Sequence, residues 1–304
     1  MTTRITPAMV TSTTLTDLSG SLSALERTTD ELSSGRTILE PSDNPYGASR
    51  VIDLQSELEG LSSYESDAQD GISWENTATS AMSNINSIVQ RVRELLVQAA
   101  NGTNNQSDLN TIGLEVEQLT ESVKQDADTQ YAGEYLFAGT ATTTAPYEQG
   151  PNDEYQGNAE TISRAVGPSA TVVVSTNIST LLGNGAGAKD GKLLDTLRTI
   201  AEHLRGGTTE DREAIGTTDL TALDGNLETL SELQAVAGSA TDQLQAALTR
   251  NEDLQTSITE SLSNTDATNV AATSIQYANE QAAYEAALRA AATIVQESLL
   301  NFLQ

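Results

Sequence analysis

The 304-residue chain combines a strongly acidic charge with very few aromatic side chains. Its formal net charge is −28, and aromatic residues make up 4% of the sequence. Such a surface argues against binding to nucleic acid or to an anionic membrane, because both carry negative charge themselves. No cysteine is present, which excludes disulfides, thiolate metal ligands and cysteine nucleophiles. The shortage of large apolar side chains favours an elongated protein of long helices over a large globular core.

The N-terminal segment carries an apolar stripe with the spacing of a coiled coil. The run predicts a helix that ends at Ser33-Ser34-Gly35, where glycine can adopt the left-handed conformation that closes a helix. The stretch EPSDNPYGAS then predicts a loop and a new helix, with Asn44 as N-cap and Pro45 at the first position. The stripe steps by three, four, three and seven residues through Leu15, Leu18, Leu22, Leu25 and Leu32.

Two helices are predicted after this loop. Periodic apolar residues and the absence of interior proline predict one long helix over 45–100. The polar run NGTNNQSD (101–108) predicts a turn, after which Ser107 or Asp108 could cap another helix that reaches about residue 130.

The middle of the chain follows a different pattern. Residues 131–182 hold short β-branched and aromatic runs separated by Gly, Pro and Asn, which predict strands and hairpins. The glycine-rich run GNGAGAKDG (183–191) predicts a flexible connection, and LLDTLRTIAEHL returns to helical spacing.

From about residue 209 the chain is predicted to be helical to its end, with a polar interruption at 263–269. A helical stripe must be covered, and the nearest cover for one terminal helix is the other. A pair of helices still leaves apolar flanks exposed, so we expect other copies of the chain to bury them. The second stripe comprises Tyr277, Tyr284, Leu288, Val295, Leu299 and Phe302.

Nothing in the sequence indicates catalysis, a cofactor or a metal site. The single histidine, His203, lies near a predicted helix end, where its charged form would suit the helix dipole. Pairs of carboxylates are expected by chance among 43 acidic residues. The N-terminal region lacks the apolar run of a cleaved signal peptide, and no run is long enough for a membrane span. We therefore expect a cytoplasmic protein, or one exported without a cleaved signal.

Three ordered motifs make the chain resemble bacterial flagellins and hook-associated proteins. ELSSGRTILEPSDNPYGASRV is similar to the segment that closes their first helix. QRVRELLVQAANGTNNQSDL (90–109) and the closing IVQESLLNFLQ are similar to their most recognisable stretch and to their C-terminus. GEYLFAGTATTTAPY (133–147) and the proline in PSDNP resemble the hook–filament junction members more than filament flagellins. The junction role is therefore preferred, with the self-polymerising filament subunit as the alternative.

The resemblance implies a mainly α, elongated, flagellin-like fold with a small β-rich insertion. Residues 1–40 and 264–304 would form an inner coiled-coil assembly domain that folds on assembly. Residues 41–133 and 191–263 would form a helical rod, and 134–190 a small outward β-rich domain.

The resemblance also implies partners and a location. Copies of the chain, a neighbouring hook-associated protein and flagellin would be its contacts in the extracellular flagellum. An export chaperone and the type III export apparatus would bring it there. In flagellins, the surface corresponding to Arg91, Leu95 and Glu115 is an axial contact face that an innate immune receptor also reads.

Overall fold

The computed structural model describes residues 7–101, 104–151 and 153–302, with side chains described from residue 9 to residue 293 within these ranges. Two antiparallel hairpins interrupt an otherwise helical chain. The predicted fold class, mainly α with a small β-rich insertion and paired terminal helices, is confirmed. The helices are α1 (Pro7–Ser34), α2 (Pro45–Ala99), α3 (Gln106–Ala127), α4 (Ser179–Leu182), α5 (Leu193–Gly206), α6 (Thr209–Gly216), α7 (Thr218–Asp266) and α8 (Val270–Phe302); the strands are β1 (Gln130–Tyr131), β2 (Glu134–Tyr135), β3 (Ser163–Gly167) and β4 (Ala170–Val173).

Local signals set most helix ends. α1 stops at Ser34, and Gly35 takes a φ of +71°, as the helix stop predicted. The Asn44 side chain accepts a hydrogen bond from the Gly47 backbone N–H at 2.9 Å, which caps α2 immediately before Pro45. The predicted helix starts and stops in this part of the chain are therefore confirmed.

The cap of α3 differs from the prediction. Asn105, and neither Ser107 nor Asp108, is the N-cap. Its side chain accepts from the Asp108 backbone N–H, while the Asp108 carboxylate accepts from the Asn105 backbone N–H. This reciprocal capping box satisfies two donors that a cap at Asp108 would leave unpaired, which explains the earlier start.

The predicted β region is less regular than expected. Among the described residues its only strands are those of the short hairpins β1–β2 and β3–β4, and it ends in the short helix α4. Side chains rather than ladders hold the rest: the Tyr147 hydroxyl donates to the Gly183 carbonyl at 2.6 Å, and the Tyr147 N–H donates to Asp128 at 3.1 Å. Burial raises the pKa of Asp128, which the Tyr147 N–H partly offsets.

The glycine-rich run 183–191 is a fixed loop, so its prediction as a flexible connection is wrong. One carboxylate, Asp190, accepts from the Asn184 and Lys192 backbone N–H groups at 2.9 and 3.0 Å. The buried Ala186 N–H donates to Asp153 at 3.1 Å. The glycines allow the positive φ angles of this tight path, as at Gly183, where φ is +80°.

The chain divides into two compact units, of which unit 2 (Leu61–Asp253) holds the larger core. The low aromatic content led us to expect no large core, and that expectation is wrong for unit 2. Alanine, valine, leucine and isoleucine side chains from helices and hairpins interlock in one contiguous cluster, so few aromatic rings are needed. Its largest fully buried members include Trp74, Tyr147, Phe137, Met82 and Leu96.

Unit 1 (Met1–Gly60 and Leu254–Gln304) combines the two terminal helices with a small apolar cluster. Ile38, Ala48 and Val51 form that cluster, and Leu262 packs against it. The α1 and α8 helices pack against each other, as the two apolar stripes predicted.

Candidate assembly surface

The α1 and α8 helices run antiparallel, and we call them the terminal pair. The Thr28 hydroxyl donates to Glu280 at 2.6 Å, so these residues lie at the same level. Nearer the start of α8, Arg36 and Ala267 form an antiparallel bridge. Residue numbers therefore rise along α8 as they fall along α1, which places Leu22 close to the level of Leu288.

The terminal pair has almost no core of its own. Within residues 9–34 and 270–293 no apolar side chain is buried; the buried side chains there are Thr28 and Thr273. Apolar burial is the main favourable term in folding, so this pair cannot gain much stability from its own contact. The predicted stripe residues that lie half-buried at the contact are Leu18, Leu25, Leu32, Tyr277 and Tyr284.

Three other stripe residues face solvent. Leu15, Leu22 and Leu288 are 60%, 38% and 42% exposed, and we call them the leucine strip. Each follows half-buried positions one and four residues earlier in its helix, at rotations of about 100° and 40°, so each is displaced from the contact line in the same sense. Because two antiparallel helices are related by a two-fold axis, equal rotations place all three leucines on one side. The terminal pair thus presents three exposed leucines on one side.

The same spacing continues beyond the described side chains. Val295 and Phe302 follow Leu288 at intervals of seven residues, in the same phase of the helix. The side chains of Val295, Leu299 and Phe302 lie outside the described part of the chain, so their assignment to an assembly interface stays a prediction.

A second predicted surface involves α2 and α3. The Arg91 guanidinium donates to Glu115 at 2.9 and 3.0 Å and to Glu94 at 3.3 Å, and its pKa is raised chiefly by the hydrogen bond that it donates to Glu115. Leu95 is only 2% exposed and lies in the core of unit 2. Of the predicted face, Arg91 and Glu115 are therefore joined at the surface, whereas Leu95 is buried in the core and is not part of an exposed face in this structure.

His203 and Lys124 are paired with carboxylates within unit 2. His203, in the last turn of α5, places its Nδ1 2.8 Å from Asp219. Lys124 is buried, with its Nζ 2.7 Å from Glu121, 3.5 Å from Asp153 and 2.8 Å from the Gly150 carbonyl. In the described part of the chain, no group of three or more histidines and carboxylates is arranged to hold a metal ion. No described helix is both long and apolar enough to cross a membrane.

Solved structures of flagellar proteins share the fold of this chain. A protein assigned as a flagellar hook-associated protein of Vibrio parahaemolyticus shares the fold, with a TM-score of 0.67 at 16% identity over 74% of this chain and 100% of that one. The flagellar junction protein FlgL of Legionella pneumophila matches with a TM-score of 0.59 at 14% identity, over 71% and 99% of the two chains. The fold is that of flagellar hook-associated proteins.

Sequence similarity points to the same family. Residues 5–142 match the bacterial flagellin N-terminal helical region. A flagellin of Salmonella paratyphi A is 36% identical over 200 residues, which cover 59% of this chain and 39% of that flagellin. The chain therefore carries a region similar to the flagellin N-terminal helices within a fold shared with flagellar hook-associated proteins, and it spans about two fifths of the length of that flagellin.

Proposed function

We propose that this chain is the hook–filament junction subunit of a bacterial flagellum and that it assembles through its terminal pair. The observation that carries the proposal is the leucine strip beside a helix pair with no buried apolar residue in its described part. Copies of the chain that pack strip to strip, or strip to a neighbouring helix, supply the missing core. The three-part division into coiled coil, rod and outward β-rich domain belongs to this proposal.

Two observations favour the junction subunit. The fold matches hook-associated structures over 98–100% of their length, whereas the chain spans 39% of the length of the Salmonella flagellin. The segment GEYLFAGTATTTAPY, which resembles junction proteins, builds part of unit 2, where Leu136, Phe137 and Tyr147 are fully buried. In this role the chain contacts a hook-associated protein on one side and flagellin on the other. It reaches the cell exterior through the type III export apparatus with an export chaperone.

Filament flagellin is the second candidate. The matched N-terminal region and the identity to flagellins favour it. Electron microscopy of the purified protein at high concentration and high salt, without a cap or seed, separates the two. Monomers or short rings are expected for a junction subunit that needs the hook as template. Long uniform filaments would instead assign the chain as flagellin.

The leucine strip gives a residue-level test. Leu22→Ser and Leu288→Ser each remove one exposed apolar side chain, and burial of a leucine contributes about 1.5–3 kcal/mol. The protein concentration needed for assembly onto hook-derived ends should therefore rise about tenfold or more in each variant, as measured by sedimentation. Ile52→Ser is the matched control, because Ile52 is 62% exposed in the same unit but lies outside the terminal pair. Equal effects of all three substitutions would contradict the assignment of the strip.

A further inference from the structure

The segment that follows α1 is held by a single acidic residue at the end of α7. The Asp266 carboxylate accepts from the Ile38 N–H at 2.9 Å and from the Arg36 guanidinium. Its backbone carbonyl accepts from the Thr37 N–H at 2.6 Å and from the Thr37 hydroxyl at 3.1 Å. Three consecutive residues are thus fixed on Asp266, and we call this arrangement the Asp266 clamp.

Asp266 and Ile38 of the clamp are buried beside the small core of unit 1, whereas Arg36 is exposed. Asp266 is 5% exposed, and the neighbouring Ile38 lies in the cluster against which Leu262 packs. In the segment between α7 and α8, the Thr268 N–H donates to the Gly35 carbonyl at 2.9 Å. A carboxylate buried this deeply requires partners, and the Ile38 N–H and the Arg36 guanidinium supply them.

A second acidic residue fixes the loop on its other side. Asp43 accepts from the Leu39 and Glu40 backbone N–H groups at 3.2 and 3.1 Å, and from Arg27 of α1 at 3.0 Å. These hydrogen bonds lower the pKa of Asp43, and the largest contribution comes from the Glu40 N–H. The loop between α1 and α2 is therefore held to α1 by Asp43 and to α7 by Asp266.

We propose that Asp266 is the positioning residue that sets the register of α1 against α8 and so brings the leucine strip onto one side. This inference rests on the proposed assembly function. α1 ends two residues before Arg36, and α8 begins four residues after Asp266, so the clamp joins the bases of both helices. A slip of one residue rotates a helix by about 100°, which would move Leu15 and Leu22 away from the side of Leu288. The polar clamp supplies the register that an apolar core would otherwise fix, because the described part of the terminal pair has no buried apolar side chain.

The test compares three variants of the full-length chain. Asp266→Ala removes the carboxylate, so its partners Ile38 and Arg36 lose their acceptor. Asp266→Asn keeps an oxygen for the Ile38 N–H but loses the ion pair with Arg36. Glu260→Ala is the control, because it removes one negative charge from an exposed position of the same helix. Hydrogen exchange of the segment 35–40 is measured in the monomer, together with the concentration needed for assembly.

Asp266→Ala should speed exchange of the segment 35–40 and raise the assembly concentration, each by about tenfold or more. For Asp266→Asn, both the exchange rate and the assembly concentration should lie between those of Asp266→Ala and those of the unaltered chain. For Glu260→Ala, both should match the unaltered chain. The fluorescence-detected unfolding of Trp74, in unit 2, should not change, which separates register from global stability. If Asp266→Ala assembles at the same concentration as the unaltered chain, the inference is overturned while the proposed function stands. If the unaltered chain does not assemble, the proposed function fails, and the exchange rates still show whether the clamp holds the segment.

Discussion

Deletion of residues 290–304 should abolish assembly onto the hook while unit 2 stays folded. The deletion removes 13 of the 33 residues of α8, including Val295 and Phe302, which continue the phase of Leu288. A shortened pair buries still less apolar surface, at about 25 cal/mol per Å², against an ordering cost of around 1.5 kcal/mol per residue. Sedimentation with hook-derived ends and Trp74 fluorescence measure the two expected results.

An internal control keeps this deletion interpretable. A full-length variant in which Val295, Leu299 and Phe302 are replaced by serine keeps every residue of the chain but removes the apolar stripe. It should fail to assemble in the same way if the stripe is the interface. Assembly of either variant at the unaltered concentration would show that the terminal pair does not drive polymerisation. Brief protease treatment of the unaltered monomer tests the related prediction that its free termini are unfolded.

Replacement of Glu75 by glutamine should stabilise unit 2 at neutral and alkaline pH. Glu75 is 1% exposed within α2, and its Oε2 has no hydrogen-bond partner among the described residues. Burial raises the pKa of its carboxyl from 4.5 to about 8, so the folded chain keeps it protonated at neutral pH. The unfolded chain ionises it near pH 4.5, and one pKa unit corresponds to about 1.4 kcal/mol. Because pH 7 lies about 2.5 units above the unfolded pKa and below the folded pKa, this ionisation lowers the free energy of unfolding by an amount on the order of 3 kcal/mol.

The raised pKa of Glu75 determines how the stability of unit 2 depends on pH. Below pH 4.5 the carboxyl is protonated in both states and costs no stability; stability then falls as pH rises towards 8, because the unfolded state binds fewer protons than the folded state. Urea unfolding followed by Trp74 fluorescence at pH 5, 7 and 8.5 should show a small gain for Glu75→Gln at pH 5 and a larger gain at each higher pH.

Glu228→Gln is the matched control for this measurement, because Glu228 is exposed in α7 of the same unit. It should follow the pH profile of the unaltered chain. A gain from Glu75→Gln that is the same at all three pH values would mean that packing, and not ionisation, is responsible.

Much of the fold could be predicted from the sequence because its signals are local. Gly35 ends α1, and Asn44 with Pro45 starts α2, through contacts that span no more than four residues. The two apolar stripes predicted that the terminal helices pair, because heptad spacing places apolar residues on one face of a helix and that face must be buried. The cap of α3 was misplaced by two or three residues because Asn105, Ser107 and Asp108 are all suitable caps, and only the reciprocal bond selects Asn105.

The residues of the candidate assembly surface were also predicted only in part. The sequence identified Leu15, Leu22 and Leu288 as members of apolar stripes, because spacing alone assigns them to a helix face. It did not reveal that these three lie on the exposed side, which depends on the register of α1 against α8. Nor did it single out Asp266, one of 43 acidic residues, whose partner Arg36 lies 230 positions away in the chain.

The sequence by itself determined the helical segments, most of their ends, the acidic character and the resemblance to flagellins and hook-associated proteins. Only the tertiary structure decided which polar groups are buried: Asp266 with a full set of partners, and Glu75 with an oxygen that has none. It also decided that Leu95 is covered and that run 183–191 is fixed. Helix formation depends on neighbours within one or two turns, whereas burial depends on segments that meet only when the chain is folded.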